Sequence, residues 1–193
     1  EMIVRLVGSE MCIRDSTYDV DEASVANEEN LLQRMTAQFD IVATETGLAN
    51  PPIGLGVNPY EVLIVASLIE EEAALDEERA KIARVIYNRL DRSIPLGIDA
   101  TIVYALGGDR ELTLSDLAVD SPYNTRLVSG LPPTPISAPG RASIEAALQP
   151  AQGDWLYYVR TDESGVGSHT FTVTQEDFNE AVLICIERDL GCG

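Results

Sequence analysis

The stretch Glu61–Ala74, EVLIVASLIEEEAA, decides how the chain is read. Its start is written as a helix N-terminus. Asn58 stands at the cap position, Pro59 at the first helical position and Glu61 two residues later, as in a capping box. The spacing predicts a helix from Pro59 to about Leu75. Eight residues, Val62–Ile69, are apolar apart from Ser67, so this helix is buried. Glu70, Glu71 and Glu72 then crowd its last turn. Acids there oppose the helix dipole, by roughly 0.3–1 kcal/mol each when exposed, so local helix stability does not explain them. Glu70 shares a face with Leu63, Ala66 and Ser67. The small pair Ala66 and Ser67 predicts open space beside Glu70. A carboxyl in a partly apolar niche has a raised pKa, which suits a general acid. Acid clusters between helices are ordinarily solvated surface, and on that reading Glu71 and Glu72 face solvent or support the site. Successive helical positions turn by about 100°, so Glu70 and Glu72 point roughly 200° apart and do not form a pair across one small substrate.

Outward from this helix the pattern is α+β. Glu28–Thr46 reads as an amphipathic helix, with Leu32, Met35, Phe39 and Val42 at helical spacing. Residues 47–56 form a Gly/Pro loop. Asp76 caps a second helix, Glu77–Leu90. Residues 94–101 read as loop, Ile102–Leu106 as a short helix or strand, and Thr113 caps a turn over Leu114–Leu117. Asp120–Gly140 is a long loop rich in Pro, Gly, Ser and Thr, a length that in a compact domain marks function. Arg141–Leu148 is a helix stopped before Pro150. Trp155–Val159 and His169–Val173 read as a hairpin around Gly165 and Gly167. Thr174, with Asp177 three residues on, opens a closing helix to about Arg188. Helices, a long loop, a small antiparallel hairpin and a last helix make a mainly helical α+β fold.

Composition sets outer limits. The 193 residues hold 13 basic and 32 acidic side chains, a net charge of −19, with 45% hydrophobic residues. That is enough for one core. The charge argues against nucleic acid and anionic membrane surfaces as partners. No apolar run approaches the roughly 20 residues of a membrane span, and no signal peptide is visible. One histidine and no CxxC argue against a zinc site. The acids Glu70–Glu72 and Asp76–Glu78 lack an EF-hand pattern. Cys185 and Cys192 read equally as a disulfide or as two free thiols; Cys12 is isolated. Residues 1–16, EMIVRLVGSEMCIRDS, do not read like the rest; LVGSEMCIRDS resembles translated sequencing-adapter read-through. The expectation is a non-native segment over 1–16 and one domain over 17–193.

Several stretches, in order, resemble the YceG-like (MltG) endolytic murein transglycosylases of bacteria. They are Ala66–Glu72, Val85–Leu90, Pro95–Leu96 with Asp99, Thr101 and Tyr104, Asp120–Thr125, Gly130–Pro133, Pro135–Ile136, Pro139–Gly140, Ala146–Leu148, Leu156–Val159, and His169 with Phe171. Each piece is weak alone; the ordered set is specific and runs from about residue 17 to 184. Gly97, Ile98, Ala100 and Ala138 depart from the family's pattern. The resemblance implies non-hydrolytic cleavage of the β-1,4 bond between N-acetylmuramic acid and N-acetylglucosamine, leaving 1,6-anhydro ends. It implies Glu70 as the catalytic acid, which protonates the leaving oxygen and then takes the proton of the muramoyl C6 hydroxyl. One carboxyl then serves both steps, unlike the two of ordinary glycosidases. Glu72, Asp99, Tyr123, Asn124 and His169 are the candidate substrate-binding residues, with a turn-forming Asp99, a loop-bracing Tyr123 and Asn124 and a packed His169 as the plainer alternatives. The resemblance implies no cofactor and no metal. Its implied partners are peptidoglycan glycan strands, with cell-wall synthesis proteins left open. It places the parent protein at the extracytoplasmic face of the bacterial plasma membrane, anchored by a segment that, with most of a LysM-like module, lies outside this chain. The rival readings are a catalytically inactive glycan-binding module and a serine hydrolase built on His169 with Ser67 or Ser121, the latter without a GxSxG elbow.

Overall fold

The computed structural model describes residues 28–108, 112–163 and 167–191. The proposed non-native segment, the acidic stretch before Glu28, Cys12, Cys192 and Gly165 lie outside these residues. Six helices and one hairpin are described: α1 Glu28–Thr46, α2 Pro59–Glu72, α3 Arg79–Asp91, α4 Asp99–Ala105, α5 Arg141–Leu148, β1 Tyr157–Arg160, β2 His169–Thr172 and α6 Gln175–Glu187. The fold is α+β.

The α2 start forms as its residues dictate. Asn58 Oδ1 accepts the backbone N–H groups of Tyr60 at 2.9 Å and Glu61 at 3.1 Å. Glu61 returns the bond by accepting the Asn58 N–H at 2.8 Å. Val62 and Ile64–Ile69 are all buried, so α2 is covered on nearly every side, as an apolar helix must be. It packs most extensively on α5 and next on α3. Val65, Leu68, Ile82, Ile86, Ile144 and Ala147 belong to the core they share.

Helix α2 ends at Glu72, three residues earlier than its pattern predicts, and Ala73 turns into extended backbone. Asp76–Glu78 is a 3-10 turn that leads directly into α3. The predicted loop over residues 94–101 gives way at Asp99 to α4, whose cap residue is Ile98. No side chain caps it, so the sequence carries no start signal there.

The polar face of α3 fixes where the hairpin lies. Arg84, Asn88 and Arg89 donate to the carbonyls of Ala151, Gly153, Trp155 and Leu156. Tyr87 Oη donates to the Ala147 carbonyl at 2.9 Å. This row of donors holds the extended chain after α5 and delivers it as β1. Strand β1 pairs antiparallel with β2, Tyr158 opposite Phe171 and Arg160 opposite His169. Helix α6 covers the hairpin; Thr174 caps it by accepting the Asp177 N–H at 3.1 Å.

Gly167, just ahead of β2, closes against the chain that follows α2. Gly167 has φ +83°, and a Cβ there would stand 2.4 Å from Ala74 Cβ. Only glycine permits this approach without strain. Its N–H donates to Asp162 Oδ1 at 2.6 Å. One residue, Ala73, separates Ala74 from Glu72, so Gly167 fixes the hairpin beside that acid.

Candidate active site

Glu70 and Glu72 leave α2 on opposite sides and meet different surroundings. The Glu70 carboxylate lies over the N-terminus of α5. Its Oε2 accepts the Gly140 N–H at 3.1 Å and the Ser143 hydroxyl at 2.7 Å, and it pairs with Arg79 at 3.4 Å. Arg79 also donates to Ser143 Oγ at 2.7 Å. The Glu70 side chain is 7% exposed. A helix N-terminus and a guanidinium favour a carboxylate there.

The open space predicted beside Ala66 and Ser67 is filled. Ser67 Oγ accepts the Ile136 N–H at 3.0 Å, and the Ser67 carbonyl accepts the Ser137 hydroxyl at 3.0 Å. The small side chains admit the chain leading into α5 rather than a ligand. The polar surroundings of Glu70 thus differ from the partly apolar niche expected for it.

A cleft of about 750 Å³ opens on the other side of α2. Its polar lining includes Glu72, Arg89, Asp99, Arg126, Tyr158 and His169. The expectation that Glu72 faces solvent fails because Tyr158 of β1 comes across it; Tyr158 Oη donates to Glu72 Oε2 at 2.7 Å. Burial drives the Glu72 pKa above the ordinary carboxyl range. The Tyr158 bond and the nearby His169 oppose that rise, and the charges of Asp99 and Glu71 add to it. Tyr158 is half-buried and beside Glu72, so its hydroxyl pKa is pushed well up and it stays a donor. A half-buried carboxyl whose pKa is raised and which one hydroxyl holds in place is suited to give up a proton as a general acid.

The other predicted site residues divide. Asp99, at the start of α4, lines the cleft and pairs with Arg126 at 2.7 Å. His169 also lines it. Tyr123 and Asn124 are not among the lining residues. Asn124 is completely buried; its amide donates to the carbonyls of Leu117 and Val119, and its Oδ1 accepts the Arg126 N–H. With no exposed surface it cannot reach a sugar, and it braces the long loop instead. Tyr123 bonds Thr134 through its hydroxyl at 2.8 Å and packs on Tyr104, ring centroids 5.0 Å apart; these are contacts of the loop-bracing alternative. Sequence reasoning missed Tyr158, Arg89 and Arg126 as cleft residues. The Tyr157–Tyr158 pair at the start of a strand was the available signal; both tyrosines line the cleft.

Cys185 is disulfide-bonded, and the other two cysteines lie outside the described residues. Among the described residues no cluster of His, Cys, Asp or Glu could hold a metal ion, and no helix is long and apolar enough to cross a membrane.

Comparison with known proteins adds to this geometry. The sequence model of the YceG-like family matches residues 5–183. The chain is 44% identical over 126 residues to a Bacillus subtilis (strain 168) protein named endolytic murein transglycosylase, a match covering 65% of this chain and 34% of that one. A protein of the same name from Streptococcus pneumoniae serotype 2 (strain D39 / NCTC 7466) is 34% identical over 173 residues, 86% of this chain and 30% of that one. The crystal structure of a yceG-like protein from Listeria monocytogenes superposes with a TM-score of 0.73 at 36% identity, covering 86% of this chain and 52% of that one. The chain spans about a third of the length of the curated relatives it matches.

Proposed function

The chain belongs to the YceG-like family, and on that premise we propose that it carries the catalytic centre of an endolytic murein transglycosylase with Glu72, not Glu70, as its acid. The relatives' name supplies the reaction class. The observation that carries the residue assignment is the Glu72 carboxyl in the cleft, bonded by Tyr158 at 2.7 Å and raised in pKa by burial. Glu70 is instead occupied by Arg79, Ser143 and the α5 N-terminus.

On this reading a glycan strand lies in the cleft with its muramoyl–glucosaminyl bond over Glu72. The carboxylic acid gives its proton to the leaving O4 as the C1–O4 bond breaks. The remaining carboxylate, with Tyr158 donating to it, faces the oxocarbenium-like centre. The muramoyl C6 hydroxyl gives its proton to that carboxylate as O6 bonds to C1, leaving a 1,6-anhydro end. Ordinary glycosidases use two carboxylates at a set separation. The second acid in this cleft, Asp99, is held by Arg126 at 2.7 Å, which suits it to place substrate rather than to activate water. The substrate is peptidoglycan, and the place of action is the bacterial cell envelope.

The test is a digest of purified peptidoglycan by this chain and by Glu72→Gln, read by mass spectrometry. Anhydro-muramoyl products from the native chain alone are expected. Reducing ends would mean attack by water and would move Asp99 into the reaction. Glycan binding without any product would favour a binding module.

A further inference from the structure

The cleft lining reverses the charge of the chain. Overall, 13 basic side chains stand against 32 acidic ones. In the cleft three arginines, Arg89, Arg126 and Arg160, stand against two acids, Glu72 and Asp99. Each arginine is held differently. Arg89 donates to the carbonyls of Leu156 and Pro95 and lies over the Tyr157 ring; among the described residues no carboxylate pairs with it. Arg160 is forked onto Asp162, with Nε and Nη2 each 3.1 Å from a carboxylate oxygen. Arg126 is fixed through Nε alone, which donates to Asp99 Oδ1 at 2.7 Å. Among the described residues nothing bonds its two terminal nitrogens, and its side chain is 34% exposed. A guanidinium anchored at Nε presents Nη1 and Nη2 as a planar fork, which takes a carboxylate through two parallel bonds.

The cleft also follows a strand edge. All four residues of β1 line it, although alternate side chains leave a strand on opposite faces, so it runs along β1 and not over one face. The Thr161 N–H donates to the Ser168 carbonyl at 3.0 Å, whereas the His169 N–H goes to Glu78 at 2.9 Å and not to Arg160 opposite. Facing residues in an antiparallel ladder alternate between bonded and non-bonded pairs. Arg160 with His169, and Tyr158 with Phe171, are therefore the non-bonded pairs, and the Tyr158 and Arg160 backbone groups point away from β2. Among the described residues nothing bonds them. Such an edge takes the amides of an extended peptide.

We propose that this wall of the cleft is a subsite for the peptide stem of the muramoyl residue, with Arg126 as the specificity residue that binds a stem carboxylate. The inference rests on the transglycosylase reading and deepens it. The ring whose C1 lies over Glu72 carries its peptide on O3 of the same ring, so the stem leaves along the walls of the same cleft. The sugars of the strand are neutral. The stem supplies free carboxylates and backbone amides, the two groups that Arg126 and the β1 edge receive. A surface of net charge −19 repels a strand bearing such stems, and the cleft arginines make this the place where it is accepted.

The test compares uncrosslinked strands in three forms: bearing their stems, bearing stems whose carboxylates have been converted to carboxamides, and stripped by an amidase so that only the lactyl carboxylate remains. Anhydro-end release gives kcat/KM for each. The native chain is expected to prefer carboxylate stems over both other forms by about tenfold or more. Arg126→Gln should bring both preferences within about threefold, mainly through KM. Arg126→Lys, which keeps the charge without the fork, should recover part of them. The readout is a ratio between substrates, so a general loss of activity through Asp99 does not imitate it, and the native comparison needs no variant to fold. Equal rates on carboxylate and carboxamide stems, or a preference that Arg126→Gln retains, would overturn the proposal. Equal rates on stem-bearing and stripped strands would put the bound carboxylate on the lactyl group and overturn it as well. N-acetylmuramoyl pentapeptide has no glycosidic bond to cleave and reports the subsite without chemistry; its Kd should rise about tenfold in Arg126→Gln. No anhydro ends from any strand would sink the transglycosylase reading, and the Kd comparison would then decide the subsite by itself.

Discussion

Glu70→Ala separates a structural acid from a catalytic one. The substitution removes a carboxylate that Gly140, Ser143 and Arg79 share, at 3.1, 2.7 and 3.4 Å. Its side chain is 7% exposed and that of Arg79 16%. A hydrogen bond to a charged group contributes about 1.5–3 kcal/mol, and leaving one member of a buried pair alone costs about 3–5 kcal/mol. Arg79 keeps Asp76 at 3.1 Å, but Asp76 is 87% exposed and compensates little. The expected destabilisation is therefore about 2–4 kcal/mol. Glu70→Gln retains an acceptor for Gly140 and Ser143 and loses only the charge, so about 1–2 kcal/mol is expected. Urea unfolding gives both values from the shift in midpoint multiplied by the slope. Anhydro-end release, normalised to folded protein, is followed in parallel. Glu70→Gln should stay active while Glu72→Gln falls by about 10²–10⁴-fold. A Glu70→Gln protein as stable as the parent yet unable to release anhydro ends would refute the assignment, because charge at Glu70 would then matter to chemistry and not to folding.

Tyr158→Phe deletes the hydroxyl that lowers the Glu72 pKa, so the alkaline limb of the pH–rate profile should move to higher pH; an unmoved limb would detach Glu72 from that limb. Gly167→Ala places a methyl group 2.4 Å from Ala74 Cβ at a left-handed φ, and should cost roughly 1–3 kcal/mol in urea unfolding. Glu72→Gln should be more stable than the parent at neutral pH. The sign follows from burial: the folded pKa of Glu72 lies above its unfolded value, so its stabilising contribution is complete below the unfolded pKa and is lost as pH rises through the folded one. Glutamine never ionises, so the gain should vanish below about pH 4 and grow with rising pH. A gain that does not depend on pH would contradict burial as the cause.

How much of this was legible beforehand depends on the range of the interaction. Asn58 with Glu61, and Thr174 with Asp177, close their bonds within three residues, and the starts of α2 and α6 follow from sequence. Helices α1 and α5 run over the residues their spacing predicts. Helix α4 begins at Asp99, after an Ile98 cap residue that makes no side-chain bond, so no local signal existed to read. The divergence of Glu70 and Glu72 follows from helical geometry alone. Which side of α2 holds the cleft does not, because Ala66 and Ser67 leave the same gap for a sugar or for a backbone. Ile136 and Ser137, about seventy residues on, fill it with backbone.

The run Asp76-Glu77-Glu78 shows the same limit more sharply. As sequence it is three acids in a turn, the commonest form of solvated surface. In the structure Asp76 and Glu77 are exposed and Glu78 is buried, because a histidine 91 positions later brings a backbone N–H and a ring nitrogen to it. Neither residue explains the other locally. A lone histidine on a strand gives no reason to bury an acid, and a helix-start acid gives no reason to orient an imidazole. The hairpin joins them, and its position is set by the α3 donors on one side and by Gly167 against Ala74 on the other. The cleft is therefore a property of how the hairpin docks on the α2–α3 junction. Substitutions that loosen that docking should weaken Tyr158 on Glu72 and Glu78 on His169 together, even when none of those four residues is changed.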